Sequence, residues 1–120
     1  MNCLLVGIGG FIGSVLRYLV GLIPIKEVTT FPIKTFFINV IGCIIIGVIS
    51  VWAMRDSDVN PKLILMLKTG VCGGFTTFST FSLETSTLLG HGNYFTAFLY
   101  VVLSITIGIG IIFLIGNTIH

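Results

Sequence analysis

Apolar residues run along the chain in four long stretches, and polar positions gather between them. Cys3 to Ile23 is the first stretch, Thr35 to Met54 the second, Leu63 to Leu89 the third and Tyr94 to Ile119 the fourth. Each meets the length of roughly 20 residues that a helix needs to cross a bilayer. The intervening segments, Pro24 to Lys34, Arg55 to Lys62 and Gly90 to Asn93, are short. Their length predicts one domain, residues 1–120, in which consecutive helices are antiparallel neighbours. The third stretch departs from the pattern, because it holds Lys68, Glu84 and the run GVCGGFTTFSTFSLE at residues 70–84.

Composition decides the solvent. Charged side chains make up 8% of the 120 residues and hydrophobic ones 55%, with a mean hydropathy of +1.15. A soluble domain usually carries about 25% charged residues to cover its surface. Six basic and four acidic side chains cannot do so here, and lipid must replace water as the main solvent. The reading is an all-α, multi-pass protein of the cell (plasma) membrane. Only Met1 and Asn2 precede the first apolar run, with no basic residue among them, which argues against a secretory signal. Cys3, Cys43 and Cys72 fall within or at the ends of apolar stretches and read as small apolar residues. His91 and His120 lie in a loop and at the terminus, and no His/Cys/Asp cluster has metal-ligand spacing. GIGGFIG at residues 7–13 is glycine-rich but lies inside an apolar span, where it suits close helix contact rather than a phosphate. Nothing in the pattern calls for a nucleic-acid partner.

Charge leaves the orientation open. With four spans, Arg55, Lys62 and Lys68 fall on one side, and Arg17, Lys26 and Lys34 on the other. The positive-inside rule then gives no bias. Such a chain can insert both ways, and two opposed copies can pair as an antiparallel dimer. The alternative is that Arg17 or Lys68 tips the balance. Small residues on three helices (Gly7, Gly9, Gly10, Gly13 and Ser14; Gly42 and Gly47; Gly108 and Gly110) would allow close backbone approach.

The run at 70–84 carries the candidate chemistry. Gly70, Gly73 and Gly74 followed by Thr76 and Thr77 form a weak helical patch inside a span, and each glycine costs up to about 1 kcal/mol against alanine. A break near Gly73 to Ser79 is expected, which would free carbonyls and amides for ion coordination. A continuous helix packed closely at its glycines is the other reading. Phe75, Phe78 and Phe81 recur every third residue, interleaved with Ser79, Thr80 and Ser82. Ring edges are electropositive, so rings and hydroxyl donors together could receive a small anion.

This block resembles the signature of the Fluc-type, or CrcB-like, fluoride channels. GGFIGSVLRY at residues 9–18 and TFFINVIGCIIIG at residues 35–47 are similar to that family's first-helix and second-helix motifs. The resemblance implies four transmembrane helices per chain, the third broken in the middle. It also implies an antiparallel dual-topology dimer, of identical copies or with a homologous second subunit, enclosing two fluoride pores. It makes Phe78 and Phe81 the pore phenylalanines, Asn39 the pore asparagine, and Ser79 and Thr80 the hydroxyls beside the rings. Tyr100 and Ser104 become a fourth-helix polar track whose next step, Gly108, has no hydroxyl. Arg17 and Glu84 take vestibule or structural places, and the main-chain carbonyls of Gly73 and Thr76 hold a structural sodium ion at the dimer centre. The implied activity is passive export of fluoride from the cytoplasm, with no enzymatic step and no organic cofactor.

The residues read independently leave choices open. Asn39 could donate to an anion near a pore mouth or hydrogen-bond another helix. Arg17 could raise local anion concentration or snorkel to the interface. Glu84 would repel fluoride, so its charge should be tied up away from the ion path. A small dual-topology multidrug or cation transporter has similar size, but it needs a carboxylate in its binding chamber, typically on the first helix, which here has none. A non-conducting assembly factor would not explain the interleaved rings and hydroxyls.

Overall fold

In the computed structural model, which describes residues 1–25 and 30–118, every regular element is helical and no strand occurs among the described residues. Lys26 of the charge count, the Ile119 end of the fourth stretch and His120 lie outside the described residues. Helix α1 is Asn2–Gly21 and α2 is Ile33–Arg55. The third apolar stretch begins as α3, Pro61–Leu65, runs directly into π-helical turns at Met66–Cys72, and ends its first half in a short turn, α4, Gly73–Phe75. Thr76 and Thr77 are extended, and helix resumes as α5, Phe78–Gly90, followed by α6, Tyr94–Asn117. Helices α1, α2 and α6 are long and apolar enough to cross a membrane.

Local chemistry sets the ends. Asn60 caps α3, its Oδ1 accepting from the Lys62 amide at 2.9 Å, with Pro61 in the first turn where its missing N–H costs nothing. Lys34 Nζ donates to the Gly21 carbonyl at 2.9 Å, satisfying one orphan acceptor at the end of α1. The α5 to α6 turn closes with Asn93 N on Leu88 O (2.8 Å) and Gly92 N on Leu89 O (3.1 Å). This six-to-one pattern needs a left-handed residue, and Gly92 supplies it with φ 79°.

Chain order does not set the packing. Helix α1 lies mainly against the Met66–Phe75 stretch and meets α2 only marginally, while α2 packs on α6 and α5 on α6. The expectation that consecutive helices are all neighbours therefore fails for α1 and α2, and glycine complementarity gives the reason. A methyl group on Gly9 would stand 2.5 Å from the Met66 carbonyl oxygen and 2.9 Å from Gly70 Cα; one on Gly74 would stand 2.6 Å from the Gly10 carbonyl oxygen. Gly9 and Gly13 on α1, and Gly70 and Gly74 opposite them, each spaced by four residues, thus let these backbones touch, and α2 meets α1 through no comparable contact. The outward faces are apolar, with Phe11, Phe95 and Phe113 all well exposed, which suits lipid as the surrounding solvent.

Candidate functional site

The break at Thr76–Thr77 organises the site, and Asn39 holds it open. A continuous helix would send the Thr77 amide to the Gly73 carbonyl. It goes instead to Asn39 Oδ1 at 2.8 Å, while Asn39 Nδ2 donates to the Thr77 carbonyl at 3.4 Å. One α2 side chain so pairs with both backbone groups of a non-helical residue, whose carbonyl also accepts from the Phe81 amide at 3.4 Å, and both groups are satisfied as burial in a membrane demands. A carboxamide nitrogen has two protons, and this contact uses one.

Thr77 also caps α5. Its Oγ1 accepts from the Thr80 amide at 3.2 Å, taking a donor that would otherwise reach the Thr76 carbonyl. The same hydroxyl donates to Thr80 Oγ1 at 3.0 Å and lies 3.3 Å from Ser79 Oγ. Thr76 Oγ1 turns back and donates to the Cys72 carbonyl at 2.9 Å. The carbonyls of Gly73 and Thr76 thereby lose the amides that a continuous helix would give them. Gly74 loses its counterpart too, and Arg17 Nε donates to that carbonyl at 3.2 Å. The guanidinium is half-buried and engaged with the break.

The rings divide at the break. A continuous helix would keep Phe75, Phe78 and Phe81 on one face, but the extended pair turns Phe75 into the core (8% exposed) and leaves Phe78 78% exposed. Phe78 and Phe81 lie with centroids 5.9 Å apart. Phe81 packs on Tyr100 at 4.9 Å, and Tyr100, fully buried, donates its hydroxyl to Glu84 Oε1 at 3.1 Å.

An open cavity of about 370 Å³ lies at this junction, bounded by Asn39, Thr76, Phe78, Phe81 and Ser104 together with Cys43, Thr77 and Ile105. Ser104 Oγ is buried and has no hydrogen-bond partner among the described residues. Buried hydroxyls are seldom left so, and this one lies at the wall of a cavity. Among the residues singled out from sequence, Asn39, Thr76, Phe78, Phe81 and Ser104 meet there. Ser79 and Thr80 join through the Thr77 hydroxyl cluster, and Tyr100 stands behind Phe81. Glu84 borders a separate hollow with Leu83, Thr87 and Leu88. Gly73 is exposed, with nothing but the Lys68 carbonyl, at 3.9 Å, near the place of a side chain.

Sequence reasoning missed Thr77, Cys43 and Ile105. Thr77 had a signal: a threonine opening a helical run is a capping position. Cys43 follows Asn39 by four residues and so shares its face. Ile105 had none, being one isoleucine in an aliphatic run. His91 is exposed, its Nδ1 2.8 Å from the Thr87 carbonyl, and takes no part in the site.

Fold and site together define a multi-pass, all-helical membrane protein with a cavity of rings, hydroxyls and one carboxamide at an interrupted helix. The family model described as CrcB-like protein, Camphor Resistance (CrcB), matches residues 4–116, and the chain belongs to that family. The Fluoride-specific ion channel FluC of Chlorobaculum tepidum is 47% identical over 112 residues, covering 93% of this chain and 89% of that protein. Proteins of the same name from Azobacteroides pseudotrichonymphae and Rhizobium meliloti are 43% and 45% identical, each over 105 residues, 87% of this chain and 84% of the relative. These are names of channels, a class distinct from enzymes.

Proposed function

We propose that the chain is the subunit of a fluoride-selective channel that passively exports fluoride from the cytoplasm, with two antiparallel copies forming two pores. The observation that carries this reading is the cavity at the helix break. It gathers the rings of Phe78 and Phe81, whose edges are electropositive, the carboxamide of Asn39 with one amide proton beyond its Thr77 contact, and Ser104, whose hydroxyl has no partner among the described residues. Such donors replace part of an anion's hydration shell without binding it tightly, as conduction requires. The near-full-length likeness to proteins named as fluoride-specific channels supports the same cargo.

Charge placement agrees with an anion path. Arg17 lies at the break, and its field favours anions nearby. Glu84, the acidic side chain within α5, is tied to Tyr100 and borders a different hollow, so its charge need not meet the anion. Tyr100 and Ser104, four residues apart on α6, continue the polar wall along the helix. In this reading the third apolar stretch crosses the membrane as a broken helix. The 78% exposure of Phe78 suits a ring completed by a second copy, identical or homologous.

A sodium ion between the copies fits the donor set. The Gly73 and Thr76 carbonyls are stripped of helical amides by Asn39 and Thr77, and Gly73 is exposed. Neutral carbonyl oxygens, two per chain and four in a dimer, suit a hard monovalent cation. Such an ion would supply a fixed positive charge that offsets part of the cost of holding dehydrated anions on either side.

The test is flux. Liposomes containing only this purified chain should release fluoride under an imposed potential and retain chloride. Equal release of both ions, or release of neither, would overturn the reading.

A further inference from the structure

Cys43 faces the cavity from α2 one turn beyond Asn39, and its thiol is free and half-buried. On the opposing helix Ser104 lies one turn before Gly108, which is buried and carries no side chain. A methyl group built on Gly108 would stand 3.3 Å from Cys43 Sγ. The thiol therefore occupies the space into which a residue at 108 would project. Ser104, whose hydroxyl has no partner among the described residues, lines the same cavity. A thiol is a weak donor and a weak acceptor, so at this level the wall is soft and weakly polar.

We infer that Cys43 is a further lining residue of the ion path, its thiol supplying the wall beside Gly108, and that small thiol reagents entering from water block conduction there. The inference rests on the channel reading above. The chemistry is disulfide exchange with 2-aminoethyl methanethiosulfonate. The Cys43 thiolate attacks the reagent's sulfenyl sulfur, an S–S bond forms, the bond to the sulfonyl sulfur breaks, methanesulfinate leaves, and the thiol proton passes to water. Cys72 is 3% exposed in the packed core and should be protected. Cys3 is exposed at the start of α1 and does not line the cavity, and Cys3→Ser should conduct as the parent does.

The experiment treats liposomes of full-length Cys3→Ser and of Cys3→Ser/Cys43→Ser with the reagent. Fluoride flux is compared with each protein's own untreated rate, and labelled residues are located by mass spectrometry. We expect labelling of Cys43, slowed by high fluoride, and a loss of flux of at least about tenfold, since an added side chain obstructs a narrow path. The double variant should show no loss. Labelled Cys43 with unchanged flux would overturn the inference, as would unlabelled Cys43 or equal inhibition of the double variant. Absence of fluoride flux before any reagent would instead defeat the channel reading. Labelling would then judge this inference alone, since labelling of Cys43 but not Cys72 supports a water-accessible wall and its absence does not.

Discussion

At the scale of single residues, Asn39 is the side chain on which the site's shape depends most. It was open from sequence whether this amide served an anion or another helix. It is bound to the Thr77 backbone and also borders the cavity. Asn39→Ala strands the buried Thr77 N–H, while the Thr77 carbonyl keeps the Phe81 amide, and a buried unsatisfied group costs about 1–3 kcal/mol. We expect a lower thermal midpoint in detergent together with reduced fluoride flux; an unchanged midpoint would show that water or lipid replaces the clamp. The two rings separate differently. Phe78 is exposed, so Phe78→Ile should keep the midpoint and cut fluoride flux by about tenfold or more if ring edges meet the ion. Phe81→Ile also gives up the contact with Tyr100, worth about 0.5–1.5 kcal/mol, and should lower both. Unchanged flux in Phe78→Ile at equal yield of folded protein would return that ring to a packing role.

At the scale of elements, the interruption of the third stretch was legible, because glycines beside threonines in an apolar span weaken a helix wherever they occur. Its location was less so. The expected window ran from Gly73 to Ser79, and the extended pair is Thr76–Thr77. That choice follows from Asn39 on another helix and from the Thr77 cap, and only the cap has a local signature. The π-helical turns at Met66–Cys72 carry no residue signal at all; they accompany the close contact with α1, which depends on two segments distant in sequence. The glycines can be sorted by the same geometry. Gly9→Ala drives a methyl group into the Met66 carbonyl and the Gly70 backbone, atoms that cannot step aside, and should cost about 1–3 kcal/mol. Gly73→Ala meets no atom of its own chain closer than 3.9 Å. We expect it to leave the fold of one chain intact, so that any loss of flux reports an effect across the dimer axis. A large drop in the midpoint of Gly73→Ala, with Gly9→Ala harmless, would invert the assignment.

At the scale of the whole molecule, one chain is a slab. Its extents are 51 × 33 × 22 Å, and its buried apolar side chains among the described residues are few: Ile38, Cys72, Phe75, Leu88, Ala97 and Tyr100. The cavity at the break is open, and the exposed Gly73 and Phe78 flank the break. Lipid can cover an apolar face but offers no acceptor to the second Asn39 amide proton at the cavity, so in the proposed assembly a second copy closes it. The near-even spread of basic residues allows that copy to be inverted, since Arg55, Lys62 and Lys68 on one side oppose Arg17, Lys26 and Lys34 on the other. We therefore expect a tag at the C-terminus to be labelled from both faces of the membrane in cells making only this chain. Adding two lysines to the Arg55–Lys62 loop should bias all copies one way. If the dimer is antiparallel, that variant alone should lose fluoride flux, and coexpression with an oppositely biased variant should restore it. Flux from a uniformly oriented population would leave the cavity to be closed by a parallel partner and would remove the antiparallel dimer from the proposal.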